Sequence, residues 1–208
     1  MPATRGPTGV GPSPPSWLST STLPIDIIPV GQTLYRIHRS HLDPIFFGPQ
    51  RGQPPVYRFD SGSGRFGVLY VGLGLKGAFA ETLLRNPQRL MVSHAAIDAR
   101  AVSEMQCDRA LRVVRLYGTG LQQVGTDNAI STGPYDICGL WTDAFWDHSD
   151  QPDGIAYSSR HDPSEFCLAL FDRGDMGFLV NATTTLMSMQ KELGAMLDLY
   201  GKSIAPRP

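Results

Sequence analysis

The feature that most constrains this chain is a succession of strand-forming segments with too few helices between them to build a parallel sheet. β-Formers alternate with polar residues at Leu34-Tyr35-Arg36-Ile37-His38, recur over 65–71, and are expected again over 90–97, 110–117, 154–158 and 166–171. Parallel neighbours need a long crossover, usually a helix, whereas antiparallel neighbours need only a turn. Helices are expected in only three places: 77–86, ended by Pro87; a segment opened by Pro134 with Ile137, Leu140, Trp141, Ala144 and Phe145 at three-and-four spacing; and 184–200. The expected fold is therefore a mixed α/β (α+β) domain, its sheets mixed and largely antiparallel, with flanking helices.

A chain of 208 residues with 41% apolar composition suits one such domain. Residues 1–30 hold seven of the seventeen prolines, and are expected to form a flexible arm with Trp17 and Ile25-Asp26-Ile27-Ile28 as its only anchors. The folded domain then spans 31–205. Eighteen basic against nineteen acidic side chains give a net charge of -1, so the overall balance recommends neither a nucleic-acid backbone nor an anionic membrane as partner. Local basic sites stay open. The three cysteines, Cys107, Cys138 and Cys167, are widely spaced and read as reduced core residues. The sequence opens without a charged, then apolar, leader and has no run of about 18 apolar residues, and a cytoplasmic location is expected.

One motif invites a cofactor reading. Gly72-x-Gly74-x-x-Gly77 follows an expected strand, opens an expected helix and has Asp98 twenty-one residues after its last glycine, as a dinucleotide-binding fingerprint does. That fingerprint belongs to a regular βαβ series, which this chain lacks, so the glycines are read as easing a turn from strand to helix. Nucleophile elbow, P-loop and zincin motifs are absent, and the five histidines form no short metal-ligand pair apart from His38 and His41.

Several short motifs remain, in order: Leu34-Tyr35-Arg36, Gly64-Arg65-Phe66, Leu69-Tyr70, Ala78-Phe79-Ala80-Glu81, Asp153-Gly154-Ile155-Ala156-Tyr157-Ser158-Ser159-Arg160 and Leu168-Ala169-Leu170-Phe171. Together, across about 33–172, they resemble the RES family, named for its Arg, Glu and Ser. The resemblance implies a fold like that of the ADP-ribosylating toxins and a role as the toxin half of a bacterial toxin-antitoxin pair. It further implies cleavage of the nicotinamide-ribose bond of NAD by water or by phosphate, either being open. NAD is then a substrate and no bound cofactor is expected; the implied protein partner is a helix-turn-helix (Xre-type) antitoxin.

These residue types suit that chemistry. Bond cleavage develops positive charge on the ribose, and a carboxylate nearby lowers the barrier, a role for Glu81. Arg36, supported by Arg65, offers a guanidinium fork to the pyrophosphate. Tyr70 offers a ring for nicotinamide, and Ser159 a hydroxyl for the carboxamide or ribose. Ser159 is preferred to Ser158 as the family serine because it precedes Arg160, and strand alternation lets only one of the two line a cleft. Each residue also has an ordinary reading: Glu81 and Arg85 as a solvated helical pair, Arg36 in a sheet-face ion pair, Tyr70 as strand packing, Ser158-Ser159 as a strand-end turn. Two other functions share the cleft: a mono-ADP-ribosyltransferase acting on a protein, and a non-catalytic NAD-binding module. Against the first, Ser19-Thr20-Ser21 lies before Arg36, the reverse of the order in the related transferases.

Overall fold

The computed structural model describes residues 11–206. Ten strands and five α-helices follow one another in the order β1 (Ile25–Ile28), β2 (Leu34–Arg39), β3 (Val68–Gly72), α1 (Leu75–Leu83), β4 (Met91–Val92), α2 (His94–Asp98), β5 (Arg100–Cys107), β6 (Leu111–Leu116), α3 (Thr119–Val124), α4 (Tyr135–Trp146), β7 (Gly154–Ser158), β8 (Phe166–Phe171), β9 (Phe178–Thr185), α5 (Gln190–Leu199) and β10 (Ser203–Ile204). Eight of the strands form one sheet in the order β1-β6-β7-β8-β3-β2-β5-β9. Every pairing in it is antiparallel except β6 with β7, in agreement with the expected mixed, largely antiparallel architecture. β10 and β4 make a small parallel pair apart from it.

The sheet is covered on both sides, which explains its near-continuous apolar strands such as Phe166–Phe171. On one side α4 drives Trp141 and Phe145, both fully buried, toward Phe66 and Phe171, and Trp146 stacks on Phe66 with ring centroids 4.0 Å apart. Fully burying side chains of this size contributes roughly 2–3 kcal/mol each. Elsewhere α1 and α5 close over Ile37 and Val102 with Phe79, Leu193 and Leu197.

The glycine string works as a turn. β3 lies between β8 and β2 and is antiparallel to both, so no βαβ unit exists here. A Cβ on Gly72 would stand 2.6 Å from the Gly74 carbonyl oxygen and 2.7 Å from the Ala78 nitrogen, so only glycine lets β3 fold back directly into α1.

Three expectations need correction. The flexible arm over 1–30 is wrong for its second part; residues 1–10 lie outside the described residues. From Gly11 onward the chain is tied down: Leu18 and Leu23 are buried, Trp141 Nε1 donates to the Pro12 carbonyl at 2.8 Å, and β1 pairs with β6 as an edge strand of the main sheet. Prolines suppress regular structure locally, but a few buried leucines and one paired strand supply tertiary contacts that composition does not register. The strand expected over 90–97 shrinks to Met91–Val92 and gives way to α2. Finally β5 and β9 lie outside the expected strands, since neither is rich in bulky β-formers throughout; their partnership, from Cys107 with Phe178 to Ala101 with Thr185, joins segments far apart in the chain and is created by the sheet.

Candidate active site

A cleft of about 640 Å³ opens where β2 and β3, α1, the end of β7 and the long 40–66 loop converge, a size suited to a small organic ligand. Its lining carries six arginines, Arg36, Arg39, Arg58, Arg85, Arg100 and Arg160, against one carboxylate, Glu81. A chain of net charge -1 has thus concentrated positive charge in one concavity.

α1 presents Glu81 to this cleft because the helix lays Ala78, Phe79 and Ala80 into the core and turns the next residue outward. The Ser159 hydroxyl donates to Glu81 Oε1 at 2.6 Å. The same oxygen of Ser159 accepts from the backbone N–H groups of His161 and Asp162, at 3.2 and 3.3 Å. Ser159 therefore holds the carboxylate in one rotamer while being itself 1% exposed. The expected alternation between Ser158 and Ser159 does not apply, because β7 ends at Ser158 and Ser159 begins the following turn. Ser158 lines the cleft wall but spends its hydroxyl on the Pro163 carbonyl at 2.8 Å.

The Glu81 carboxylate is not paired with Arg85. Arg85 Nε donates to the Glu81 backbone carbonyl at 2.9 Å, and its guanidinium lies 5.1 Å from the centre of the Tyr57 ring. Arg36, half-buried in β2, donates to the Pro44 carbonyl rather than to a carboxylate. Burial lowers its pKa to about 10, which leaves it cationic at neutral pH.

Tyr70 lines the cleft, but its hydroxyl has a structural partner: it donates to Asp60 Oδ1 at 2.9 Å and accepts from the Phe59 N–H at 3.0 Å. The other Asp60 oxygen accepts from the Val56 and Tyr57 N–H groups, at 2.8 and 2.7 Å. Burial pushes the Asp60 carboxyl up and the Tyr70 phenol well up. Tyr70 thus anchors the 56–60 loop, and that loop carries Tyr57 and Arg58 into the cleft. Tyr57 is the more accessible ring, 42% exposed, and meets Tyr70 edge-on at 5.6 Å.

Arg65 is the clear misassignment. Its guanidinium forms a bidentate pair with Asp147, at 2.9 and 2.7 Å, beyond the C-terminus of α4 and away from the cleft. The cleft holds Arg58 in its place, with Nη1 on the Gly133 carbonyl at 2.7 Å, the Tyr135 ring 4.9 Å from its guanidinium carbon, and Nη2 buried without a partner among the described residues. The chain has two Arg-Phe pairs, Arg58-Phe59 and Arg65-Phe66, and the motif read in the sequence is the second, Gly64-Arg65-Phe66. The usable signal was Asp60, whose carboxylate fastens the first pair to β3 through Tyr70.

The three cysteines are buried and unbridged, and burial raises the Cys167 thiol, the one in the cleft lining, so it is a weak nucleophile. Among the described residues no cluster of three or more His, Cys, Asp or Glu is placed to hold a metal ion, and no helix is long and apolar enough to cross a membrane.

Comparison with known proteins agrees with this architecture. A family model described as RES domain matches residues 33–189. A protein described as probable toxin y4kH, from Sinorhizobium fredii, is 27% identical over 112 residues, which cover 53% of this chain and 87% of that protein. Among solved structures, a chain of the MbcT-MbcA toxin-antitoxin complex of M. tuberculosis superposes with a TM-score of 0.58 at 15% identity, covering 81% of this chain and 92% of that one, a likeness of fold. With three quarters of its length matched by the family model, the chain belongs to the RES domain family.

Proposed function

We propose that this protein is a toxin that cleaves the nicotinamide-ribose bond of NAD and is restrained by an antitoxin of the helix-turn-helix (Xre) type. The observation that carries the reading is the single carboxylate of the cleft, Glu81, held by Ser159 and facing six arginines. NAD joins a cationic nicotinamide ribose to an anionic pyrophosphate, and this cleft offers the opposite sign to each. Positive charge that grows on the ribose as nicotinamide departs is stabilised by Glu81, whose orientation is set before the reaction begins and costs nothing to reorganise. Arg36 and Arg58 supply guanidinium donors for the pyrophosphate, and Tyr57 with Tyr70 supplies ring surface for a base. NAD is the substrate in this scheme, with water or phosphate as the second reactant.

The cellular role is supported by the description of the Sinorhizobium relative as a probable toxin and by the toxin-antitoxin complex that contains the structural neighbour. The decisive experiment incubates the purified protein with NAD, with and without phosphate, and measures released nicotinamide. The Glu81→Gln variant is expected to lower the rate by about 100- to 1,000-fold, the scale of removing one preorganised electrostatic group. No release by the wild type, or equal release by the variant, overturns the reading. Labelled protein bands from labelled NAD would indicate transfer to a protein instead.

A further inference from the structure

Of the five histidines, four are accounted for by the fold or stand outside the cleft. His38 has both ring nitrogens occupied, by the Arg39 carbonyl at 2.9 Å and the Ser103 hydroxyl at 2.8 Å. His94 is bound to Asp98, His148 bridges the Leu18 carbonyl and the Asp150 N–H, and His41 is exposed outside the cleft lining. His161 differs: it lines the cleft and is half-buried, and its imidazole makes no hydrogen bond or ion pair among the described residues. Its backbone is nevertheless fixed relative to Glu81, because the His161 N–H donates to the same Ser159 hydroxyl that donates to the Glu81 carboxylate. One hydroxyl thus sets the register of a carboxylate and an uncommitted base on the same wall.

From this geometry we infer that His161 is the general base for a water nucleophile in this cleft. The inference rests on the NAD-cleaving reading above and adds to it the identity of the proton acceptor. In the step, an O–H bond of water breaks and its proton passes to a neutral ring nitrogen of His161. The water oxygen bonds to the anomeric ribose carbon as the carbon-nitrogen bond breaks, and that bond's electron pair neutralises the nicotinamide ring. Nicotinamide leaves without needing a proton. Phosphate near neutral pH brings its own oxyanion, so its attack needs no base, and the two nucleophiles must respond differently to loss of the imidazole.

The imidazole is suited to accept a proton near neutrality. Glu81 and Arg85 act on it from α1, Arg58 from the 56–60 loop, and Arg160 from its own turn; burial is the largest influence and, with the arginines, lowers its pKa against the opposing effect of Glu81. It therefore stays neutral to a lower pH than a free histidine.

The test compares wild type with His161→Gln and His161→Asn, with NAD and increasing phosphate, resolving ADP-ribose from its 1-phosphate. Expected for both variants is a fall of about 100-fold in the ratio of ADP-ribose to the 1-phosphate, the lower range of a general base's contribution. In phosphate-free buffer the wild-type hydrolytic rate should fall with pH on the acid side of the ordinary histidine range, while the variants lose that dependence. Because both products come from one enzyme preparation, partial misfolding scales them together, and the ratio reports the folded molecules alone. An unchanged ratio, or a wild type that produces no ADP-ribose, overturns the role of His161. Full nicotinamide release by Glu81→Gln overturns instead the reading on which it rests.

Discussion

Arginines inside the cleft and arginines outside it keep different company. Outside, Arg65 pairs with Asp147, Arg109 with Asp153 and Asp175, and Arg115 with Asp26. Inside, Arg36, Arg58, Arg85 and Arg100 donate to the carbonyls of Pro44, Gly133, Glu81 and Ala96, and two of them lie over tyrosine rings. Arg173, on carbonyls and the Trp146 ring, is an exception outside the cleft. A carbonyl or a ring orients a guanidinium without cancelling its charge, whereas a carboxylate cancels it. The first arrangement leaves a field for an anionic ligand, and the second stabilises the fold alone.

Substitutions on the two sides should therefore separate binding from stability. The largest effect is expected from Arg58→Ala or Arg36→Ala, raising KM for NAD by about 10- to 100-fold, the range for a hydrogen bond to a charged group, with little change in the unfolding midpoint. Steady-state kinetics beside urea unfolding would check both halves; an unchanged KM breaks the contrast. Next comes Arg109→Ala. Asp153 is only 5% exposed and takes both Arg109 guanidinium nitrogens and the Arg112 N–H, so removing Arg109 strands a buried carboxylate. Urea titration should show a loss of about 2 kcal/mol, reduced from the fully buried case because Arg109 is a third exposed. NAD turnover per folded molecule should hold.

The smallest effect is expected from Arg65→Ala, an exposed pair worth under ~1 kcal/mol. Here pH gives a signature. Hydrogen bonding from Arg65 lowers the Asp147 carboxyl, so the folded state binds its proton less readily than the unfolded chain. The pair's contribution is then complete above about pH 4, the ordinary carboxylate value, and is lost as pH falls through the lower folded value. Thermal unfolding of wild type and Arg65→Ala should converge toward pH 2. NAD cleavage should be equal in both; a large loss in the variant would restore Arg65 to the site.

Much of the architecture was legible in residue order. Alternation at Leu34–His38, the apolar stripe behind Pro134 and the run Phe166–Phe171 led to β2, α4 and β8, since each carries its own period. β9, with Asn181-Ala182 and three threonines, carries no comparable apolar signal, because it is an edge strand whose outer residues meet solvent. β1 reads in the sequence as an apolar anchor and not as a sheet member, since its four residues gain stability through distant partners, the β6 strand and the Arg115 and Tyr117 side chains on Asp26.

The sequence by itself determined the class of fold and the placing of Glu81 on a short helix, because strand period, helix stripe and a glycine-eased turn into α1 are local properties. Only the tertiary structure decided which arginines enter the cleft. Arg58-Phe59 and Arg65-Phe66 are nearly alike in sequence, and what separates them is distant: Tyr70 and Asp60 turn one toward Glu81, while Asp147 holds the other away. A side chain's direction within a long loop is set by partners far along the chain, and those are known only once the chain has folded.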